Sequence, residues 1–483
     1  MNFLTCPHCR KPIEQGPAWS PPLKVCPSCL RPLALFDFRL LERPDPVPAA
    51  AKVDAATAAD LNRQGMQAVS RGAFAEAIRL FTAALKLQSN FPAALNNRGY
   101  ALAARKETDR AIADFDEALR QDARFAGAYN NRALALVARG DYERALTDAG
   151  EAIRLDSALA VAWLNRALAN AALGRFEEAL ADLNAALVRK PGLVNAHHNR
   201  GAVHTALGQF DEALADYAEA IRLRPESPFG YYNRGFLGML RGDLDQGLAD
   251  LNAAIQLAPT FAAAYFNRAE IHRARQDFER ALDDYGEAIR LKAGYGLAYF
   301  NRGEIHFERG DFTRAITDFS EVVRINPKLP AAFNNRGLAY AALGDSAQAV
   351  ADYTEALRLN PNFVNAYLNR SQAYSTLGNE EGAMVDQIEA VRQAPKRTAA
   401  FVGFAKFWAG AGDSEMALQM AVETARQACV LSKWSDWMAL STLAAACASA
   451  GERLEAAQWF AKAMELVPDE ERPTLEAEAV RWR

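Results

Sequence analysis

The sequence is poor in cysteine, with six among 483 residues, and four of these fall within the first 29 residues. So few cysteines, so unevenly placed, argue against a disulfide framework and favour a reducing compartment. No stretch approaches the roughly 20 consecutive apolar residues that span a bilayer. The first six residues also lack the charged start and apolar core of a secretory signal. We therefore expect a cytoplasmic protein that does not enter a membrane.

The sequence has no excess of charge of one sign and no recognisable catalytic motif. Lys and Arg total 55 against 59 Asp and Glu, a net charge of −4, which favours neither a nucleic-acid backbone nor a membrane surface. A phosphate-binding glycine loop, a nucleophile elbow and a metalloprotease helix motif are all missing. The sequence therefore predicts that the protein is not an enzyme.

In place of such motifs, the sequence repeats itself every 34 residues. The repeat is marked by an Asn-Arg-small tripeptide that returns nine times without a change of phase. Its asparagines are Asn97, Asn131, Asn165, Asn199, Asn233, Asn267, Asn301, Asn335 and Asn369. Nine copies in strict phase predict a stack of similar units rather than a globular enzyme fold.

Each repeat has the pattern of two helices joined by a turn. In residues 330–363, apolar or small residues recur at helical spacing at Phe333, Gly337 and Tyr340, and again at Ala349, Tyr353 and Ala356. Gly344 and Asp345 lie between the two sets and predict the end of one helix and the cap of the next. Pro361 predicts the end of the second helix, because proline lacks the N–H donor.

This pattern resembles the tetratricopeptide repeat, and the resemblance covers most of the chain. It implies an all-α fold, an α-solenoid superhelix of about 12 helix-turn-helix repeats. We expect ten contiguous 34-residue units over 58–397, two divergent units over 398–470 with a short insertion near 432–436, and a C-terminal capping helix over 471–483. Repeats are numbered below from Ala58, and positions within each repeat run from 1 to 34.

The resemblance also implies that the first helices line a concave groove for a protein or peptide partner. The nine asparagines occupy position 6 and resemble the asparagine ladder of peptide-binding superhelices. Each amide offers a donor and an acceptor, so a row of them can bind the main chain of an extended peptide. The alternative is that the tripeptide is a structural variant whose amides hydrogen-bond neighbouring loops. Both interpretations remain open at this point.

Two charged rows accompany the asparagines. Arginine occupies position 7 and aspartate position 23 in the same nine repeats, and both are missing together from repeats 1, 11 and 12. Joint presence and joint absence predict contact between the two residues, which would set the helix register. We interpret these rows as scaffold.

Aromatic residues enrich the predicted groove in the middle repeats. We predict that Tyr232, Phe236, Phe266, Phe300 and Phe307 contact a partner. The alternative is that they pack between helices as core. Among the few histidines, the pair His197-His198 is expected at the surface, whereas the histidines at position 11 replace core aromatics.

The N-terminal segment 1–36 contains Cys6, Cys9, Cys26 and Cys29 as two Cys-x2-Cys pairs. Such pairs supply four thiolates to one tetrahedral ion, so the segment resembles a zinc ribbon with a structural zinc as cofactor. Redox chemistry at the first pair is the alternative, but no strand-helix-strand pattern follows it. Residues 37–57 form a Pro/Ala linker.

Together these features predict a non-catalytic protein-interaction scaffold that binds a peptide or protein in the repeat groove, preceded by a structural zinc ribbon. The alternative function is a nucleic-acid-binding adaptor in which the ribbon contacts nucleic acid and the repeats recruit a partner. Its basic residues are sparse, however, and no aromatic stacking platform accompanies them.

Overall fold

The computed structural model describes residues 4–5, 12–13, 57–394, 398–410 and 415–480. Near the N-terminus, β1 (Leu4–Thr5) pairs with β2 (Pro12–Ile13) in antiparallel register, with Leu4 opposite Ile13. Beyond this short pair, the regular structure of the described ranges is helical. The prediction of an all-α array of repeats is confirmed.

The described helices belong to two compact units, 1–277 and 278–483. Unit 1 contains α1 (Ala58–Ser70), α2 (Phe74–Leu87), α3 (Pro92–Ala104), α4 (Thr108–Gln121), α5 (Ala126–Arg139), α6 (Tyr142–Leu155), α7 (Ala160–Ala172), α8 (Phe176–Arg189), α9 (Val194–Ala206), α10 (Phe210–Leu223), α11 (Pro228–Arg241), α12 (Leu244–Leu257) and α13 (Ala262–Ala274). Unit 2 contains α14 (Phe278–Leu291), α15 (Gly296–Glu308), α16 (Phe312–Ile325), α17 (Pro330–Ala342), α18 (Ser346–Leu359), α19 (Val364–Thr376), α20 (Glu380–Gln393), α21 (Thr398–Gly410), α22 (Glu415–Leu431), α23 (Trp437–Ser449), α24 (Arg453–Leu466) and α25 (Arg472–Val480). Odd-numbered helices up to α23 are the first helices of their repeats, and even-numbered helices are the second.

The pair α17 and α18 shows how the sequence produces one repeat. Pro330 begins α17, where the N–H that proline lacks would have no helical acceptor. After α17 ends at Ala342, Gly344 adopts a φ of 85°, a left-handed conformation that glycine tolerates. Asp345 then caps α18, because its side chain accepts a hydrogen bond from the backbone N–H of Gln348. The turn and the cap lie where the Gly-Asp pair predicts them.

In repeats 2 and 9, the two helices pack through a glycine on the first helix and an aromatic ring on the second. A Cβ atom added to Gly337 would lie 2.7 Å from Tyr353 Cε1, and one added to Gly99 would lie 2.6 Å from Phe115 Cε1. Both rings are buried. Where position 24 carries a ring, the small residue at position 8 is therefore a packing requirement.

Successive repeats within a unit contact each other through both kinds of helix. A second helix packs against the following first helix, as α4 does against α5, and first helices also contact each other, as α3 and α5 or α17 and α19 do. The first helices of each unit thus share one face. We call it the first-helix face, formed by positions 6, 9, 12 and 13 of the odd-numbered helices.

The last repeats depart from the regular pattern. The helix α22 has 17 residues, and the turn that follows places Lys433 and Trp434 at positive φ of 53° and 59°. The Trp434 ring stacks on Trp459 with 4.7 Å between centroids, and both rings pack against the buried core of these helices. The additional residues near 432–436 therefore serve the packing of the final helices.

Candidate partner-binding face

The position-6 asparagines of repeats 2 to 4 are hydrogen-bonded to position-5 asparagines of the preceding repeats. Asn97 Nδ2 donates to Asn62 Oδ1 at 3.1 Å, Asn131 Nδ2 to Asn96 Oδ1 at 2.9 Å, and Asn165 Nδ2 to Asn130 Oδ1 at 2.9 Å. Within repeats 2 and 3, the position-5 amide also donates to its position-6 neighbour, at 3.5 and 3.2 Å. These six residues form a continuous chain of amide hydrogen bonds, here called the Asn ladder.

The Asn ladder leaves part of each amide available. Asn131 donates one N–H to Asn96 and accepts one hydrogen bond from Asn130. Because an asparagine amide has two N–H donors and two acceptor lone pairs, one of each remains. Asn131 is half-buried, and its two neighbours fix which way the amide faces. A structural role and a peptide-binding role are thus compatible in these repeats.

In the middle repeats the position-6 asparagines have no position-5 asparagine to bond to, because position 5 carries other residues there. The side chains of Asn199 and Asn233 have no hydrogen-bond partner among the described residues. Asn267 is 1% exposed, and its Nδ2 has no such partner there either. Asn301 is also buried. Asn199 is buried and Asn233 is half-buried, so the unpaired amides of this stretch differ in how far solvent reaches them.

Asparagine pairing returns in unit 2 where position 5 is asparagine again. Asn369 Nδ2 donates to Asn334 Oδ1 at 3.0 Å, and Asn334 Nδ2 donates to Asn335 Oδ1 at 3.2 Å. The same separation of 35 residues therefore produces the same bond in both units. Each of the four position-6 amides paired in this way follows a repeat with asparagine at position 5.

The arginine and aspartate rows are scaffold, as predicted. In eight pairs, Nε and Nη2 of the arginine donate to the two carboxylate oxygens at 2.6 to 2.9 Å. The aspartates are buried: Asp114, Asp148, Asp182, Asp216, Asp250, Asp318, Asp352 and Asp386. Arg268 and Asp284 occupy the same two positions in repeat 7. Two parallel bonds in a buried setting set the register of the two helices.

Several of these arginines also connect a repeat to the one before it. Arg132 Nη1 donates to Asp116 Oδ1 at 2.7 Å, and Arg200 Nη1 donates to Asn184 Oδ1 at 2.6 Å. The acceptor lies at position 25 of the preceding second helix. One guanidinium therefore joins three helices.

The predicted aromatic contacts are mostly buried in the described conformation. Phe266 has no exposed surface, and Phe300, Phe236 and Tyr232 are 7%, 8% and 9% exposed. Phe307 is half-buried and packs edge-on against Phe312 with centroids 5.3 Å apart. Packing between helices accounts for the first four, so Phe307 is the member of this group most accessible to a partner.

The expectation that His197 and His198 form a surface pair is wrong, because both are buried, at 8% and 2% exposure. His197 Nδ1 lies 3.1 Å from Asp216 Oδ1, and its Nε2 lies 3.0 Å from the carbonyl oxygen of Pro191. Neither ring nitrogen of His198 has a partner among the described residues. Burial, with the nearby charges of Arg224 and His197, lowers the pKa of His198 to about 4. The sequence alone could not show this burial, because position 5 carries both polar and apolar residues.

The four cysteines of the predicted zinc site lie outside the described residues. The strands β1 and β2 flank the first Cys-x2-Cys pair in the sequence. Within the described ranges, one other group, Cys447 with Glu452 and Glu455, could hold a metal ion. Burial raises the pKa of the Cys447 thiol to about 12, so the thiol keeps its proton at neutral pH and is a poor ligand.

None of the helices in the described part of the chain is both long and apolar enough to cross a bilayer. Models of the tetratricopeptide repeat match residues 62–124, 130–194 and 239–296, residues 194–227 and 330–363, and residues 364–397; a related TPR repeat model matches 303–344. Comparison with curated proteins found no match.

Solved structures with a similar arrangement of helices include yeast Tom70, at 17% identity and a TM-score of 0.39 over 82% of this chain and 96% of that chain. The APC/C hetero-tetramer Cut9-Hcn1 matches at 14% identity and a TM-score of 0.37, over 80% and 96%. YrrB, described as a TPR protein with an unusual peptide-binding site, matches at 25% identity and a TM-score of 0.31, over 38% and 95%.

Proposed function

The chain belongs to the tetratricopeptide repeat proteins, and from this premise we propose that it is a non-catalytic scaffold whose first-helix face binds an extended segment of a protein or peptide. The observation that carries the proposal is the position-6 row. Nine asparagines occupy one position of the first helices; five of them are half-buried, and Asn165, Asn199, Asn267 and Asn301 are buried. An amide pairs equally well with the N–H and the C=O of a peptide group, so such a row binds a main chain largely independently of its sequence.

The distribution of hydrogen bonds supports this proposal. Asn199 and Asn233 have no side-chain partner among the described residues, while the Asn ladder keeps one N–H and one lone pair free at Asn131. A nucleic-acid backbone would instead require accessible cations. The exposed arginines at position 29 are paired with glutamates three residues earlier, as Arg120 is with Glu117.

Peptides selected from a random dodecapeptide library against the full chain provide a probe for this proposal. The double variant Asn199→Ala/Asn233→Ala is expected to lower the affinity for the best selected peptide about tenfold, because two hydrogen bonds to the peptide main chain are lost. The matched control is Asn184→Ala/Asn252→Ala, which removes two amides from second helices. It should change the affinity less than about twofold. Failure to select any peptide, or equal losses in both variants, would contradict the proposal.

We also propose that Cys6, Cys9, Cys26 and Cys29 hold one structural zinc ion. Four thiolates fill a tetrahedral site, and the pairing of β1 with β2 around the first Cys-x2-Cys pair supports a knuckle there. The purified chain should contain one zinc per molecule by elemental analysis, and Cys6→Ser/Cys26→Ser should lose it. The control Cys429→Ser/Cys447→Ser changes the two buried cysteines and should keep the metal. Equal zinc content in both double variants would refute the assignment.

A further inference from the structure

A cavity of about 70 Å³ opens on the first-helix face between repeats 2 and 3. Its walls come from α3, α4 and α5, and they include Tyr100, Ala103, Ala104, Phe115, Asn131 and Leu134. Phe115 forms the buried floor, whereas the alanines of α3 and the Leu134 side chain are half-buried at the mouth. The cavity is therefore reachable from the same face as the asparagine row.

Small residues at positions 12 and 13 create this cavity. Ala103 and Ala104 occupy them in repeat 2, and Ala138 at position 13 of repeat 3 stands opposite. Repeat 6 has Met239 and Leu240 at these positions, side chains large enough to fill such a space. Three alanines from two neighbouring repeats thus leave an open space between α3 and α5.

The size and chemistry of the cavity suit an aliphatic side chain. A cavity of about 10 to 15 Å³ accommodates one water molecule. The cavity of about 70 Å³ therefore has room for a group of several carbon atoms. Most of the wall is apolar, and its polar members are Tyr100, Thr108 and Asn131. An apolar occupant gains from leaving water, whereas a charged one would lose solvation without a charged partner in the wall.

Asn131 connects this cavity to main-chain recognition. Its amide is oriented by Asn96 and Asn130 and retains one N–H and one lone pair. In an extended peptide, each side chain leaves the main chain beside a peptide group, and successive residues rise about 3.3 Å. A peptide group bonded to Asn131 would therefore place a neighbouring side chain at the cavity.

We propose that the cavity between repeats 2 and 3 anchors one aliphatic side chain, of valine, isoleucine, leucine or methionine, of an extended peptide whose main chain is hydrogen-bonded by Asn131. The assignment rests on the proposed function and adds to it a preferred residue and a register on the array. The cavity would thus select the peptide by one of its side chains. The position-6 asparagines would bind its main chain independently of its sequence.

The test compares two leucine substitutions at the same repeat position in the full chain. Ala104→Leu fills the cavity, and Ala342→Leu adds the same carbons at position 13 of repeat 9, where Ala342 is exposed. The probe is the peptide selected against the unchanged chain from the random dodecapeptide library. Ala104→Leu should weaken this peptide about tenfold or more, because its anchoring side chain is excluded, and Ala342→Leu should change the affinity less than about twofold.

A second variant keeps the test informative if Ala104→Leu folds poorly. Leu134→Ala enlarges the cavity. For this variant, replacing the aliphatic anchor of the peptide by phenylalanine should raise the affinity at least about fivefold relative to the original peptide. Thermal unfolding of each variant shows whether it is folded.

Several outcomes would overturn the assignment. Unchanged affinity of Ala104→Leu would show that the cavity is not used. A changed oligomeric state in sedimentation, without a change in peptide affinity, would identify a second copy of the chain as the occupant. Loss of affinity in Asn199→Ala/Asn233→Ala alone would leave the scaffold function standing and remove only the anchor site.

Discussion

At the scale of single residues, the turns inside the repeats show where backbone strain is stored. Most of these turns place glycine in the left-handed region, but repeat 2 places Lys106 there with a φ of 65°. A non-glycine residue in this conformation costs about 1 kcal/mol or more, because its Cβ approaches the following carbonyl. Lys106 N donates to Ala103 O, so the turn itself is the same as in the glycine repeats.

Lys106→Gly is accordingly expected to raise the free energy of unfolding by about 0.5 to 1 kcal/mol, since glycine relieves the strain but loses more backbone entropy. Thermal unfolding monitored by circular dichroism measures the change. Gly344→Ala makes the reverse exchange in repeat 9 and should lower the stability by a similar amount. A destabilised Lys106→Gly chain would mean that the lysine side chain supplies contacts that outweigh the strain.

The buried His198 ring makes stability depend on pH. Its pKa falls from 6.5 to about 4 in the folded chain, chiefly because burial disfavours the charged ring. The folded chain therefore favours the neutral ring. The contribution of His198 to the free energy of unfolding is fully present above pH 6.5 and is lost as the pH falls towards 4. A shift of this size corresponds to a loss on the order of 3 kcal/mol.

His198→Leu should remove this loss, and leucine already occupies position 5 in repeats 4 and 10. The measurement is the difference in melting temperature between pH 7.5 and pH 4.5 for both chains, because other acidic groups contribute equally to each. The wild type should lose more stability than the variant over this interval. An identical pH dependence would show that His198 is solvated or paired in solution.

At the scale of the helices, repeat 6 differs from its neighbours in the residue that lies between its two helices. Position 20 is alanine in the other nine of the first ten repeats but Gly247 in this one. A Cβ atom added to Gly247 would lie 3.0 Å from Ile271 Cδ1 and 3.1 Å from the backbone oxygen of Gly235. The helices α11 and α12 therefore meet with backbone close to backbone, which glycine at both contact points permits.

Gly247→Ala should destabilise the chain although it restores the residue typical of the other repeats. Backbone contacts at 3.1 Å cannot relax as a flexible side chain would, and we expect a loss of about 1 to 2 kcal/mol. Gly150→Ala in α6 is the control, because no atom lies within 4 Å of the added Cβ. Helix propensity alone should make that variant about 1 kcal/mol more stable. Stabilisation by both changes would argue against the close approach of α11 and α12.

At the scale of the whole molecule, the features that recur every 34 residues are those that the sequence predicts well. The helix ends near Gly344 and Asp345 and the contacts between the arginine and aspartate rows follow from local chemistry at a constant separation. Features that depend on how one repeat meets the next are not predicted. The Asn ladder needs an amide at position 5 of one repeat to face position 6 of the following one, and the cavity needs alanines from two repeats to stand opposite each other. The burial of His198 is of the same kind, because it depends on how α9 meets α11.

Because contacts are confined to neighbouring repeats, they also predict how far the destabilisation caused by one substitution extends along the described repeats. Asp148→Ala leaves the Arg132 guanidinium without its buried carboxylate, which should cost about 3 kcal/mol. Because α6 contacts mainly the helices of its own and the following repeat, the loss should be local. Hydrogen exchange measured by mass spectrometry should show faster exchange in α4 to α8 and unchanged rates in α17 to α20. Uniformly faster exchange would instead indicate that the repeats unfold as one cooperative unit. The destabilisation would then not be limited to the repeats next to the substitution.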